Sequence, residues 1–410
     1  MTSTPSPAAE HPGPSRDPYD FSVVLGGPLF QLASRAHLCG DALELLNRRI
    51  IVITLFAWLP LLILSILDGH AWGSSVNVPF LKDIEVHVRL LLALPLLIVA
   101  ELVVHQRMRA TGRQFLERGL IADSSRTRFD AAVGAALRLR NSVVAEVVLL
   151  AFVYFVGVFF IWPRFVALNV ATWYAEPAGA AGRHLQIAGW WYAFVSLPIF
   201  QFMLFRWYFR VFIWIRFLWQ VSRCELRLVP THPDRAGGLG FLALIVVSLA
   251  PLLMAHGALL AGTIANRIFF QGAKLPDFKV ELVALPVILL LIVLGPLLLF
   301  SPHISQARRV GLREYGLLAQ QYVRAFEDKW LRGSPPSGEP LIGSADIQSL
   351  ADLANSYGII DKMRILLFGP RVAIAIVAAA LAPMIPVALL GVPLPELLGK
   401  IAGAFLGKPG

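Results

Sequence analysis

Long apolar runs alternate along the chain with shorter polar segments that carry arginine. The runs reach, or come close to, the ~20 residues that a helix needs to cross ~30 Å of hydrocarbon. Because a backbone in lipid must satisfy its own hydrogen bonds, such runs predict helices. The predicted fold class is therefore all-α, a polytopic transmembrane bundle of about seven spans with cytoplasmic helical extensions. The predicted spans are 50–67, 87–104, 143–162, 190–209, 241–264, 280–300 and 371–390.

Composition and charge agree with a membrane protein. The chain is 57% hydrophobic and 15% charged, against roughly 25% charged in a typical soluble domain. Its net charge of +10 comes from basic residues that crowd between alternate apolar runs, as the positive-inside rule requires. We therefore expect the lipid bilayer as the partner and no nucleic acid. The same rule predicts a multi-pass protein of a bacterial-type inner (plasma) membrane with its N-terminus in the cytoplasm.

The remaining segments are predicted to be cytoplasmic or terminal. Residues 1–20 are rich in Pro, Ser and Ala and predict a disordered cytoplasmic tail; residues 21–49 predict a cytoplasmic amphipathic segment. Region 301–370 predicts two amphipathic helices around a linker at 333–344, the second capped by Ser344 or Asp346. Residues 391–410 are predicted to form a C-terminal tail after the last span, on the side of the membrane opposite the N-terminus.

Leu-Pro pairs recur near the outer ends of three predicted spans. They are Leu94-Pro95, Leu197-Pro198 and Leu285-Pro286, and each helix then continues into an arginine-bearing cytoplasmic segment. Transporter folds often contain weak internal repeats. The pattern suggests three repeated in-out-in hairpins plus a final helix.

Ionisable residues at the predicted cytoplasmic ends of the spans form the candidate polar cluster. Charge inside a span is costly, at ~2.5 to 3.5 kcal/mol near a helix centre. Glu101 and His105 lie one helical turn apart. If these side chains converge, their imidazoles and carboxylates could bind a divalent cation; the alternative is that they cap helices or pair with nearby arginines. The cluster is Glu101, His105, Glu146, His232, Asp234, Arg235 and His303.

Two further features each allow two interpretations. Asp234 can cap the helix that follows it, or the backbone N–H groups of this glycine-rich turn can hold an anionic headgroup together with Arg235. His256 falls in the middle of a predicted span among small residues, such as Gly257 and Gly262. It can hydrogen-bond across a close helix contact, or titrate in a pathway.

The arginines of the fourth predicted span do not form a voltage sensor. At about 100° per residue, Arg206 and Arg210 lie together, whereas Arg216 and Arg223 fall on another side of the helix. An interfacial helix with snorkelling arginines accounts for this composition.

No nucleotide-binding, hydrolase or multi-histidine motif occurs in the chain. The favoured function is a channel or a transporter-type protein. One alternative is an integral membrane enzyme acting on a lipid or lipid-linked substrate at the cytoplasmic leaflet, with Glu101, His105, His232, Asp234 and His303. Another is a membrane assembly or regulatory protein. The sequence identifies no catalytic residue, metal ligand or cofactor. A homo-oligomer and a cytoplasmic protein partner are both compatible with it.

Overall fold

A computed structural model describes residues 22, 44–157, 171–177, 183–333, 340 and 343–390. The predicted tails at 1–20 and 391–410 lie outside the described residues. So do most of segment 21–49, the end of the predicted third span, and most of the linker before Ser344.

The regular secondary structure of the described residues is helical apart from one small antiparallel sheet. Strands β1 (Ala175–Pro177) and β2 (Arg183–Leu185) pair with Ala175 opposite Leu185. Short 3₁₀ turns at Phe80–Lys82, Asp123–Ser125, Leu275–Phe278, Gly295–Phe300 and Ala382–Met384 connect or extend the helices. In chain order the helices are α1 (Glu44–Leu67), α2 (Ile84–His87, the π-helical turn Val88–Ala93 and Leu94–Met108), α3 (Thr111–Glu117), α4 (Arg126–Arg140), α5 (Val143–Phe152), α6 (Ile187–Trp191, the π-helical turn Tyr192–Ser196 and Leu197–Val221), α7 (Phe241–Val247), α8 (Ala250–Gln271), α9 (Lys279–Leu294), α10 (Ser301–Glu327, with a π-helical end at Asp328–Arg332), α11 (Ala345–Asp361), α12 (Pro370–Leu381) and α13 (Ile385–Leu390).

Among the described residues, 6 helical segments are long and apolar enough to cross a membrane. The number rises to 7 if the pair Asp123–Arg140 and Val143–Gly157, bent by 48°, forms one span. The predicted all-α architecture, with several helices long and apolar enough to cross a membrane, is thus confirmed, whereas the count of seven spans stays a prediction. The six segments are Leu46–Leu67, Ile84–Glu117, Ile187–Val221, Phe241–Gln271, Leu275–Arg332 and Pro370–Leu389.

Two of the three Leu-Pro pairs follow directly on a π-helical turn. The turn Val88–Ala93 precedes Leu94-Pro95, and Tyr192–Ser196 precedes Leu197-Pro198. Proline lacks the N–H of a regular helix and its ring crowds the carbonyl one turn earlier, so a widened turn there relieves the clash. Pro286 lies instead inside the α-helical segment α9. The triplicated hairpin therefore stays a prediction, with a shared backbone feature in two of its three members.

Small residues on α8 allow its neighbours to approach closely. A Cβ added at Gly257 would stand 1.9 Å from the Ala380 carbonyl oxygen of α12. At Gly262 it would stand 3.2 Å from the Cα of Glu85, at the start of α2. Since neither position has room for a side chain without movement of a neighbouring backbone, these glycines set the spacing of α8 against two other helices.

Helices α10 and α11 pack against each other, and Asp346 joins them. The Asp346 carboxylate accepts hydrogen bonds from Lys329 Nζ at 2.7 Å and from Trp330 Nε1 at 2.9 Å. Tyr322 donates to the Asp346 carbonyl at 3.1 Å. Ser344 occupies the N-cap position without a side-chain capping bond. These contacts hold the start of α11 against the far end of α10.

Candidate functional site

Glu101 lies at the centre of an ionic cluster whose members come from four helices. Its side chain projects from α2 and is 2% exposed. Oε2 lies 2.6 Å from Arg49 Nη1 of α1. Oε1 accepts from Arg210 Nη1 of α6 at 2.6 Å and lies 3.4 Å from Arg206 Nη1 of the same helix. We call Arg49, Glu101, Glu146, Arg206 and Arg210 the Glu101 cluster.

Because Glu101 is buried, its pairing with arginines affects the stability of the fold. An unpaired buried carboxylate is strongly unfavourable, whereas charge-assisted bonds to guanidinium groups compensate for its lost hydration. Arg206 also reaches Glu146 at the start of α5, with Nη2 3.8 Å from Oε1. Two of the predicted site carboxylates, Glu101 and Glu146, are therefore brought together through one guanidinium.

The ion pairs with Glu101 correct the interpretation of Arg206 and Arg210 as snorkelling groups. Arg206 and Arg210 are 7% and 4% exposed, and both pair inside the bundle. Their spacing of four residues puts them on one helix face, a signal that the sequence contains. Which carboxylate they meet depends on tertiary packing.

His105 contacts the same region through Ser22. Its Nδ1 lies 2.8 Å from Ser22 Oγ, and Arg140 donates to the Ser22 carbonyl at 2.6 Å. Arg140 also lines a cavity with Glu146, Arg206 and Arg210 that has room for about one water molecule. His105 therefore lies beside the Glu101 cluster.

The loop before α7 is organised by Asp234. Its Oδ1 accepts from the N–H groups of Ala236 at 2.8 Å and Gly238 at 3.1 Å, and Oδ2 accepts from Gly240 at 2.9 Å. Partial burial opposes ionisation, but these donors outweigh it and lower the pKa of Asp234 below its ordinary value. Because Asp234 already occupies these N–H groups, they are not available to a phosphate.

The other members of this loop make local contacts. His232 Nδ1 lies 2.9 Å from Asp234 Oδ1. Arg235 adopts the left-handed conformation with φ of 56°, and its carbonyl accepts from the N–H of Arg364 at 2.8 Å. A structured turn that anchors the segment before α12 is thus what this sequence forms.

The structure does not join all of the predicted polar cluster. His303 Nδ1 is buried at the start of α10 without a partner among the described residues. Neither His303 nor the His232 loop makes a hydrogen bond or ion pair with Glu101 in the described part of the chain. No group of three or more His, Cys, Asp or Glu side chains there could hold a metal ion.

His256 joins α8 to α6. Its Nδ1 lies 2.8 Å from the Leu252 carbonyl, and its Nε2 lies 2.9 Å from the Tyr208 hydroxyl. A carbonyl only accepts, so Nδ1 carries the proton, and Nε2 of the neutral ring accepts from the Tyr208 hydroxyl. The contact has the geometry of the interhelical hydrogen bond that was one of the two interpretations of His256.

A second buried polar cluster lies near the other end of α2. Asp83 Oδ2 accepts from Trp173 Nε1 at 2.9 Å, and Oδ1 accepts from Asn266 Nδ2 of α8 at 2.7 Å. Glu85 Oε1 accepts from the Arg89 guanidinium one turn later on the same helix. We call Asp83, Glu85, Arg89, Tyr192 and Asn266 the Arg89 cluster.

The two π-helical turns meet in this second cluster. Arg89 belongs to the turn Val88–Ala93, Tyr192 belongs to the turn Tyr192–Ser196, and the Arg89 guanidinium donates to the Tyr192 hydroxyl. Arg89 and Tyr192 are 6% and 1% exposed. Together with Asp83, Glu85 and Asn266 they line a cavity with room for about one water molecule.

Sequence reasoning did not single out the Arg89 cluster. Asp83 and Asn266 fall at predicted span ends, where charge and polarity are tolerated and carry no strong signal. Arg89 falls inside a predicted span with Glu85 four residues before it, and that pair was the available signal.

No family model, curated protein or solved structure matches the chain.

Proposed function

We propose that the protein is a membrane protein of the channel or transporter type, and that the Arg89 cluster handles a proton or a small monovalent cation. The observation that carries this proposal is the meeting of two π-helical turns, from different membrane helices, at one buried ionic cavity. Turns of this kind occur frequently at functional sites. Buried ionisable groups within membrane helices often belong to ion pathways.

The charge of the cavity favours a cation. Asp83 and Glu85 contribute two carboxylates, whereas Arg89 contributes one guanidinium. The hydroxyl of Tyr192 and the amide of Asn266 add neutral oxygen atoms to the lining. Oxygen ligands with one excess negative charge suit a monovalent cation or a relayed proton better than an anion.

The described conformation is closed between the two clusters. Arg89 and Glu101 lie twelve residues apart on α2, which corresponds to about 18 Å along the helix. Leu94, Leu97 and Ile98, between them, are each fully buried at 0% exposure. Ion passage then requires a conformational change, for which the π-helical turns beside Pro95 and Pro198 are suitable points of bending.

The enzyme alternative has less support from this geometry. Its proposed residues are divided between the surroundings of Glu101, the loop at His232 and the start of α10 at His303. We also propose that the N-terminus lies in the cytoplasm of a bacterial-type inner membrane, because basic residues crowd between alternate apolar runs.

Flux measurements test the proposal directly. The purified protein is reconstituted in liposomes, and proton, Na⁺ and K⁺ movement is recorded under imposed ion gradients and voltage. We expect flux through the wild type, its loss in Glu85→Gln, and its retention in Glu225→Gln. Glu225 is a matched control because its carboxylate accepts from Ser124 at 2.7 Å on an exposed surface. Correctly inserted wild-type protein that passes none of these ions would contradict the proposal, as would equal flux in both variants.

A further inference from the structure

An apolar groove lies on the outer surface of the helix bundle, between α6 and the end of α9. It has a volume of about 560 Å³. Phe212 and Ile215 form one wall, and Leu291, Ile292 and Leu299 form the other. Phe212 and Leu291 are 53% and 66% exposed. We expect such an exposed apolar surface to face lipid tails.

Gly295 helps to keep this groove open. It begins the 3₁₀ turn Gly295–Phe300 and lines the groove. A Cβ added at Gly295 would meet no atom within 4 Å, and the backbone there is right-handed. A larger side chain can therefore be placed at this position to fill the groove without strain on the backbone.

A cavity lined by arginine adjoins the groove, between α4 and the end of α6. It has a volume of about 470 Å³. Arg128 and Arg138 of α4 line it together with Arg216 and Arg223 from the α6 side. Among the described residues, no Asp or Glu lines this cavity or the groove, and no ion pair joins Arg138, Arg216 or Arg223 to a carboxylate.

Arg128 and Arg223 are held in place by contacts that do not neutralise their positive charge. Arg128 Nη1 donates to the carbonyl of Arg223 at 2.8 Å. The guanidinium of Arg223 lies over the ring of Trp219, 5.4 Å from its centroid. Guanidinium groups arranged in this way favour phosphate, whose oxygen atoms accept paired hydrogen bonds.

Arg216 and Trp219 line both cavities, so the apolar groove and the arginine-lined cavity adjoin each other. Trp219 is 47% exposed, and tryptophan is enriched where membrane meets water. An anionic phospholipid has the same sequence of chemistry, with acyl chains below the interface and a phosphate at it. A soluble phosphate would leave the apolar part of the groove unexplained.

We propose that this groove binds one anionic phospholipid, with its phosphate among Arg138, Arg216 and Arg223 and an acyl chain between Phe212 and Leu291. The arginine distribution predicts that this end of the bundle is cytoplasmic, so the lipid belongs to the leaflet on that side. The site is separate from the Arg89 cluster, and lipid binding does not depend on the function proposed above.

Native mass spectrometry of the full chain tests the proposal. The probes are phosphatidylglycerol and phosphatidylcholine with identical acyl chains, titrated into detergent-solubilised protein. We expect one phosphatidylglycerol to be retained in preference to phosphatidylcholine. Arg216→Gln should weaken that binding by roughly tenfold to a hundredfold, because it removes a charge-assisted contact to the phosphate. Arg313→Gln, on the predicted cytoplasmic helix α10 and outside both cavities, is the matched control and should bind as the wild type does.

Gly295→Leu provides the second arm, because it fills the apolar groove and leaves the arginines unchanged. It should weaken phosphatidylglycerol retention while the thermal unfolding temperature is kept. Equal retention of the two lipids, or no change in either variant, would overturn the proposal. Displacement of the lipid by inorganic phosphate, together with unchanged lipid retention in Gly295→Leu, would indicate a free-anion site and would also overturn the proposal. A dimer of the wild type that dissociates in Gly295→Leu would indicate that a second copy of the chain fills the groove, and would overturn the proposal as well.

Discussion

Arg210 Nη1 donates to Glu101 Oε1 at 2.6 Å, and this bond joins α6 to α2 inside the bundle. Arg49 of α1 holds the other carboxylate oxygen, also at 2.6 Å. Three membrane helices are thus tied to a single carboxylate. Because Glu101 is only 2% exposed, its carboxylate depends on these guanidinium groups to compensate for its lost hydration.

Removal of Arg210 should therefore destabilise the protein strongly. We expect Arg210→Gln to lower the free energy of unfolding by about 3 kcal/mol, the lower end of the range for breaking a buried ion pair, since Arg49 and Arg206 remain. Denaturant unfolding in detergent measures this change in the free energy of unfolding. Arg227→Gln is the control, because the Arg227 side chain pairs with Asp123 at 3.1 Å on an exposed surface, and such a pair is worth about 0 to 1 kcal/mol.

A double variant separates the ion pair from general packing. In Glu101→Gln/Arg210→Gln, both members of this ion pair are neutral, so the double variant should lose less stability than the sum of the losses in the two single variants. If the double variant is less stable than Arg210→Gln by the full cost of Glu101→Gln alone, the two residues are not coupled and the assignment of the cluster is wrong.

Close packing at Gly257 gives a second prediction. A Cβ at this position would lie 1.9 Å from the Ala380 carbonyl oxygen, so α12 must move to accommodate Gly257→Ala. We expect a loss of about 1 to 3 kcal/mol, as for other overpacked sites. Gly295→Ala is the matched control, because its added methyl group meets open space and the backbone at Gly295 is right-handed. If Gly257→Ala and Gly295→Ala lower the thermal unfolding temperature equally, the spacing of the helices is not set at Gly257.

The sequence predicts the membrane helices well because their formation is a local property. Any apolar run of sufficient length in lipid must satisfy its backbone internally, whatever its neighbours are. Glu101 is detectable for a similar reason, since a carboxylate there must be compensated. Its partners are not, because Arg49 lies some fifty residues away and only the packing of α1 against α2 and α6 brings it near.

The Arg89 cluster shows the complementary limit. Asp83 and Asn266 are unremarkable at predicted span ends, yet a 2.7 Å hydrogen bond joins them inside the structure. The separation of the His232 loop and His303 from Glu101 is a further case. Sequence places all of them at a similar depth in the membrane, but depth alone does not determine which helices are neighbours.

The junction of α10 and α11 gives a prediction about pH. Hydrogen bonds from Lys329 and Trp330 lower the pKa of Asp346 below its ordinary value. A carboxyl whose pKa is lower in the folded state stabilises that state above the unfolded pKa of about 3.9, and loses this contribution as pH falls through the folded value. We therefore expect α11 to remain docked at neutral pH and to loosen in acid below about pH 4.

Hydrogen exchange of the α11 amides, corrected for the intrinsic effect of pH, measures this docking. Asp346→Asn should show faster exchange than the wild type at pH 7, because a neutral amide binds Lys329 less strongly, and the difference should shrink in acid. Asp352→Asn is the control, since the Asp352 carboxylate accepts from Gln348 of the same helix at 3.0 Å on an exposed face. If the wild type and Asp346→Asn exchange alike at pH 7, the carboxylate does not hold the two helices together, and their apolar contacts alone account for the docking.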